Sequence, residues 1–78
     1  MKHYMIERVV AGAVVERRRL GRSRKVDAAR AARRAAGTLS RVQAARSIVR
    51  LSHTGDGVIY DPVAAYRKDP RTGRVTRI

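Results

Sequence analysis

The sequence contains no cysteine, tryptophan or phenylalanine, and only six carboxylates in 78 residues. The absence of cysteine excludes disulfides, thiolate metal ligands and a thiol nucleophile, which fits a reducing, cytoplasmic setting. With three tyrosines as its only aromatics, the chain must build its core from apolar residues that are mostly small, since alanine and valine dominate. A chain this short also removes a modest fraction of its surface from water, so one domain is expected, and a homodimer or bound partner would supply missing burial. No apolar run approaches the roughly 18 residues of a transmembrane helix. The longest, Val9 to Val15, is interrupted by Gly12 and followed by Glu16-Arg17-Arg18, too short and wrongly flanked for a secretory signal. No membrane partner is expected.

The scarcity of acids also bears on catalysis. Glu7 and Glu16 have arginines available across a hairpin, Asp27 falls near a helix start, and Asp56, Asp61 and Asp69 fall in turns. Each carboxylate has a structural use, which leaves no acid/base pair to assign. His3 and His53 are the only histidines and lack the spacing of metal ligands. His53 reads as a solvated turn residue beside Asp56. Gly55-Asp56-Gly57 is a turn signal, not a nucleotide-binding fingerprint. The expectation is a protein that is not an enzyme and carries no cofactor or metal.

What is abundant is arginine. Sixteen of the nineteen basic residues are arginine, and the net charge is +13. GC-rich codon usage also favours arginine, alanine, valine and glycine. Arginine nevertheless meets phosphate bidentately and stacks on bases, and a charge this high repels itself until a polyanion relieves it. Nine of the cations lie between Arg17 and Arg34.

Taken in order, residues 4–20 read as a β-hairpin, with Val9, Val10, Val14 and Val15 flanking Ala11-Gly12-Ala13. A two-residue loop would set Glu7 against Glu16. A three-residue loop pairs Glu7 with Arg17, Arg8 with Glu16, Val9 with Val15 and Tyr4 with Leu20, and is preferred on charge. One face then carries Tyr4, Ile6, Val10, Val14 and Leu20 as the core face. The other carries Met5, Val9 and Val15 beside Arg17 and Arg19. A helix is the competing reading, since Ile6, Val9, Val10, Ala13, Arg17 and Leu20 also fit a 3.6-residue period, but four valines and a central glycine count against it.

After Gly21, Ser23 would cap a helix running from Arg24 or Lys25 to Ala36, with Asp27 in the first turn and Gly37 just past the end. Ala28, Ala32, Ala35 and Leu39 form its apolar face. Ser40-Arg41-Val42-Gln43 has the form of a capping box, which predicts a helical turn at 40–45 before a strand at about 46–52. Val58-Ile59-Tyr60 predicts the partner strand, at 57–61, closed by Asp61-Pro62. In the tail, Asp69-Pro70-Arg71-Thr72-Gly73 is a turn signal. Residues 63–78 are therefore either a third hairpin or a flexible basic arm following a domain at 1–62. The fold class is α+β: a small ββαββ domain of antiparallel hairpins packed on one alanine-rich helix, with a basic C-terminal hairpin or tail.

The elements Tyr4-x-Ile6-x-Arg8, Gly12, Arg19-Leu20-Gly21-Arg22, Val26-Asp27-Ala28-Ala29-Arg30 and Gly57-Val58-Ile59-Tyr60-Asp61-Pro62 resemble small uncharacterised arginine-rich proteins of actinobacteria and their phages. The resemblance covers about residues 4–62 and implies the ββαββ order but no activity. Gly57-Val58-Ile59-Tyr60 with Asp69-Pro70-Arg71-Thr72-Gly73-Arg74 is also similar to the opening strands of arm-type DNA-binding domains of phage integrases, although the helix that follows there is missing here.

The basic residues carry the functional expectation. Arg17, Arg19, Arg22, Arg24, Lys25, Arg30, Arg33 and Arg34 are expected to contact phosphate, as one continuous surface if the strand end meets the helix start. The junction at Gly21, ahead of a helix N-terminus, is the first place to look for a phosphate. Few aromatics and no helical asparagine point to backbone binding of DNA or RNA with low sequence preference. The alternative is a phage-type module that docks on a host protein, perhaps an acidic one, through the Met5, Val9 and Val15 patch or a sheet edge.

Overall fold

Ala11 and Gly12 turn the first hairpin. Both take positive φ (50° and 81°), the backbone of a two-residue loop whose twist matches that of the strands it joins. In the computed structural model, which describes residues 2–78, this loop joins β1 (Lys2–Val10) to β2 (Ala13–Ser23). The three-residue loop expected from charge is therefore replaced, and a β-bulge removes the objection to the shorter one. Pairing runs Val10 to Ala13 and Val9 to Val14, then skips Val15, so that Arg8 still meets Glu16 and Glu7 still meets Arg17. A second bulge skips Leu20 and sets Tyr4 opposite Gly21. Val14 consequently joins Val9 on the face away from the core, and Val15 is left half exposed.

The remaining elements are α1 (Lys25–Gly37), α2 (Arg41–Arg46), β3 (Ser47–Thr54), β4 (Asp61–Lys68) and β5 (Val75–Arg77). All strands are antiparallel, in the order β2-β1-β3-β4-β5. This is the expected α+β class, with five strands under one main helix and a short one. The helix side of the sheet holds the core: Tyr4, Ile6, Val49, Leu51 and Tyr66 meet Ala28, Ala32 and Ala36, which recur every four residues along α1. Alanine buries little itself but lets the helix sit close to the sheet. The helix lies chiefly over β3 and β4 and touches β2 less, with Leu20 of β2 still packed against the core.

Two caps differ from expectation. Ser23 pairs with Lys2 as the last residue of β2, so Arg24 takes the N-cap position, without a side-chain cap. Its guanidinium instead meets Asp27 in the first turn at 3.0 Å. Gly37 is the last helical residue, followed by a right-handed Thr38. The Arg34 and Ala36 carbonyls accept from the Thr38 and Leu39 amides and Ala35 O from Thr38 Oγ1, while Lys68 Nζ donates to Gly37 O at 2.8 Å and, beyond the helix, to Leu39 O at 2.7 Å. The expected capping box is present: Ser40 Oγ accepts from the Gln43 amide while Gln43 Oε1 accepts from the Ser40 amide.

Residues 57–60 do not form a strand. They belong to a loop, and Asp61-Pro62 opens β4 rather than closing its predecessor. The loop holds its shape through Asp56, whose Oδ1 accepts from the Val58 and Ile59 amides and from Thr54 Oγ1. Those amides are occupied by a side chain and are withdrawn from strand pairing. Residues 63–78 form a hairpin of the same sheet, closed by Asp69 Oδ1 accepting from the Arg71 amide. Among the described residues no helix is long and apolar enough to cross a membrane.

Candidate nucleic-acid interface

Strand alternation divides the basic residues of β2. Arg17 lies opposite Glu7, Arg19 opposite Met5 and Arg22 opposite His3, all on the open face of the sheet. Arg18 lies opposite Ile6, on the helix side. The helix covers that side only in part at β2, so Arg18 stays exposed and borders a groove with Arg34 of α1 over Ile6 and Leu39. The eight expected phosphate contacts therefore do not make one continuous surface. Arg17, Arg19 and Arg22 face one way. Arg24 and Lys25 stand at the start of α1, and Arg30, Arg33 and Arg34 splay from the helix. Arg33 turns toward β4, with its guanidinium carbon 5.2 Å from the centre of the Tyr66 ring, a cation–π contact.

The acids are unevenly distributed among the cations. Glu7 is the pivot: its side chain is only 5 % exposed, and it accepts from Arg17 Nε (3.4 Å), Arg50 Nε (3.0 Å) and Ser52 Oγ (3.0 Å). Glu16 takes Arg8 at 3.0 Å, and Asp27 takes Arg24 at 3.0 Å with Arg30 at 3.9 Å. Among the described residues, no carboxylate lies within ion-pair distance of Arg18, Arg19, Arg22, Lys25 or Arg34. At the start of α1, Asp27 lies in the first turn, where its carboxylate pairs with Arg24 and Arg30 and lowers the local positive charge.

Several residues play parts that the sequence did not disclose. Met5 and Val9, expected in an exposed docking patch, are buried because β1 lies between two other strands. His53 lies within β3, stacked on Tyr4 at 6.0 Å between ring centroids, and its Nδ1 is buried without a hydrogen-bond partner. Arg50 belongs to the open face through Glu7. Tyr60 stands in the loop after β3, where it borders a cleft with Arg17, Arg19 and Arg50. The sequence signal for that loop was Thr54-x-Asp56-Gly57, whose side chains compete with strand pairing.

Hydrogen bonds from the Val58 and Ile59 amides and from Thr54 hold the Asp56 carboxyl below the ordinary aspartate range. A lowered folded-state value means that the ionised form supports the loop at neutral pH, and that this support fades as pH falls through the folded-state value. We expect the Val58 and Ile59 amide resonances to titrate together with a midpoint below about 3.9, the ordinary aspartate value. A midpoint at or above that value in pH-dependent NMR spectra would show that Asp56 does not hold the loop.

No family model matches the chain, and neither curated proteins nor solved structures yield a match. Among the described residues, no three histidine, aspartate or glutamate side chains gather as a metal site would require.

Proposed function

We propose that the protein is a small, non-enzymatic nucleic-acid-associated protein that binds the phosphate backbone with little sequence preference. The observation that carries this reading is the uncompensated charge on β2 and α1: Arg18, Arg19, Arg22, Lys25 and Arg34 are exposed, and no carboxylate pairs with them among the described residues. Such cations gain most from phosphates, by releasing condensed counterions. The eight residues expected from the sequence remain candidates with unequal weight. Arg17, Arg24 and Arg30 are shared with acids, Arg33 is held on Tyr66, and Arg18 joins the set.

The edge position of β2 admits a plainer use of the same arginines, since charged side chains and bulges protect free sheet edges from self-pairing. The two uses separate on substitution. Arg18→Ala with Arg34→Ala should weaken binding to duplexes of unrelated sequence by the same factor. It should also flatten the salt dependence by about one unit of log–log slope for each phosphate no longer neutralised. Fluorescence anisotropy on labelled duplexes reads both. Unchanged affinity and slope in the double variant would remove both arginines from the phosphate contacts and leave Arg18 of β2 to edge protection.

A further inference from the structure

The open face of the sheet carries a cleft of about 550 Å³ between the loop after β3 and the strands β1 and β2, with Met5 and Glu7 on its floor. A second cleft of about 350 Å³ shares Arg19, Gly57 and Tyr60 with it and extends toward His3 and Gly21. We propose that this pair of clefts receives an unstacked base of a single-stranded nucleic acid, with the base against Tyr60 and the adjoining phosphates on Arg17 and Arg19. The proposal rests on the phosphate-binding reading and names the form of nucleic acid for one site.

Several observations converge on it. Tyr4 and Tyr66 are buried in the core, whereas Tyr60 is only partly covered and borders both clefts. Three arginines, Arg17, Arg19 and Arg50, border the larger cleft against one carboxylate, Glu7, which is already engaged by Arg17, Arg50 and Ser52. The larger cleft therefore has cationic character to offer an anion, whereas the smaller one sets Asp56 against Arg19, which places the phosphates on the side of Arg17 and Arg19. The loop that presents Tyr60 is pinned by Asp56, yet it leaves Val58 80 % and Ile59 65 % exposed. A pinned loop that displays apolar side chains beside an aromatic ring and arginines combines what a base and its phosphate require: a stacking surface and fixed positive charge. A duplex keeps its bases inside the stack and cannot enter the site without unpairing.

The test compares a short oligothymidylate with a duplex of the same length, using the intact chain and its Tyr60→Leu and Tyr60→Phe variants. Tyr60→Leu should weaken single-strand binding about tenfold, the effect of losing one stacked base, while leaving duplex affinity and the salt slope unchanged. Tyr60→Phe should retain single-strand binding, because the ring and not the hydroxyl carries the contact. In the unsubstituted protein, the Tyr60 ring protons should move upfield in NMR spectra on adding the oligothymidylate, a result that does not depend on how well a variant folds. Equal losses on both nucleic acids, or no loss and no ring shift, would overturn the base site while leaving phosphate binding in place. No binding of either nucleic acid by the unsubstituted protein would overturn both.

Discussion

Replacing Leu51 with alanine is expected to destabilise the domain by about 4 kcal/mol, within the range found for leucine deletions in closed cores. Leu51 is fully buried, paired between Ile6 of β1 and Ala64 of β4, in the cluster capped by Ala28, Ala32 and Ala36. The cost should fall high in the range because alanine neighbours have no side-chain length with which to fill the space left behind. A domain of this size holds only about 3–5 kcal/mol in reserve. The Leu51→Ala chain should therefore lose its cooperative thermal transition by circular dichroism at temperatures where the parent is folded. A cooperative transition within a few degrees of the parent would show that the core is not centred on β3.

Glu7→Ala should cost about 3 kcal/mol, as expected when one partner of a buried ion pair is removed and the other charges remain. The substitution strands Arg17 and Arg50 beside each other and leaves the buried Ser52 hydroxyl without its acceptor. Arg17 is largely exposed and can turn to water, which limits the penalty on its side. Arg50 is only one-third exposed and has less freedom to do so. At roughly 4–8 °C per kcal/mol for a domain of this size, the melting temperature should fall by more than about 10 °C. Glu7→Gln should fall in between, because the amide oxygen can still accept from Ser52 but carries no charge. A melting temperature unchanged in Glu7→Ala would mean that the arginines on the open face need no central carboxylate.

Much of the fold was legible in the sequence because local chemistry and global packing agreed. The valine-flanked hairpin, the alanine helix, the capping box at Ser40 and the turn at Asp69 each formed near their expected places. Departures from expectation have two sources, local side-chain and bulge geometry that propensity does not weigh, and pairing with strands distant in the chain. Charge pairing alone suggested a three-residue loop, but bulges at Val15 and Leu20 satisfied both the two-residue turn and the Glu7–Arg17 and Arg8–Glu16 pairs. Propensity favoured a strand at 57–61, but the Asp56 carboxylate took the amides that such a strand would have used. Met5 and Val9 looked exposed because a lone hairpin has one free face. The pairing of β1 with β3 as well as β2 made them central.

The candidate interface was legible by composition and less so by geometry. The arginine cluster marked the right elements, β2 and α1, but residue spacing along a strand does not reveal which side a helix will cover. The helix over β3 and β4 left Arg18 exposed and turned Arg33 onto Tyr66. Tyr60 is legible from sequence as one of three aromatics able to stack on a base, but its place beside Arg17, Arg19 and Arg50 depends on a loop that reads as a strand.

The proposed function requires that exposed cations without acidic partners bind phosphate. Its most direct test is the affinity for a labelled duplex measured across a series of salt concentrations. Because Arg19 and Arg22 face one side of the sheet and Arg18 and Arg34 the other, log affinity should fall linearly with log salt at a slope of about −2, roughly −0.9 for each phosphate neutralised by one side, and steeper where Lys25 joins. No measurable binding at about 50 mM salt, where phosphate contacts are strong, or a slope near zero, would contradict the account.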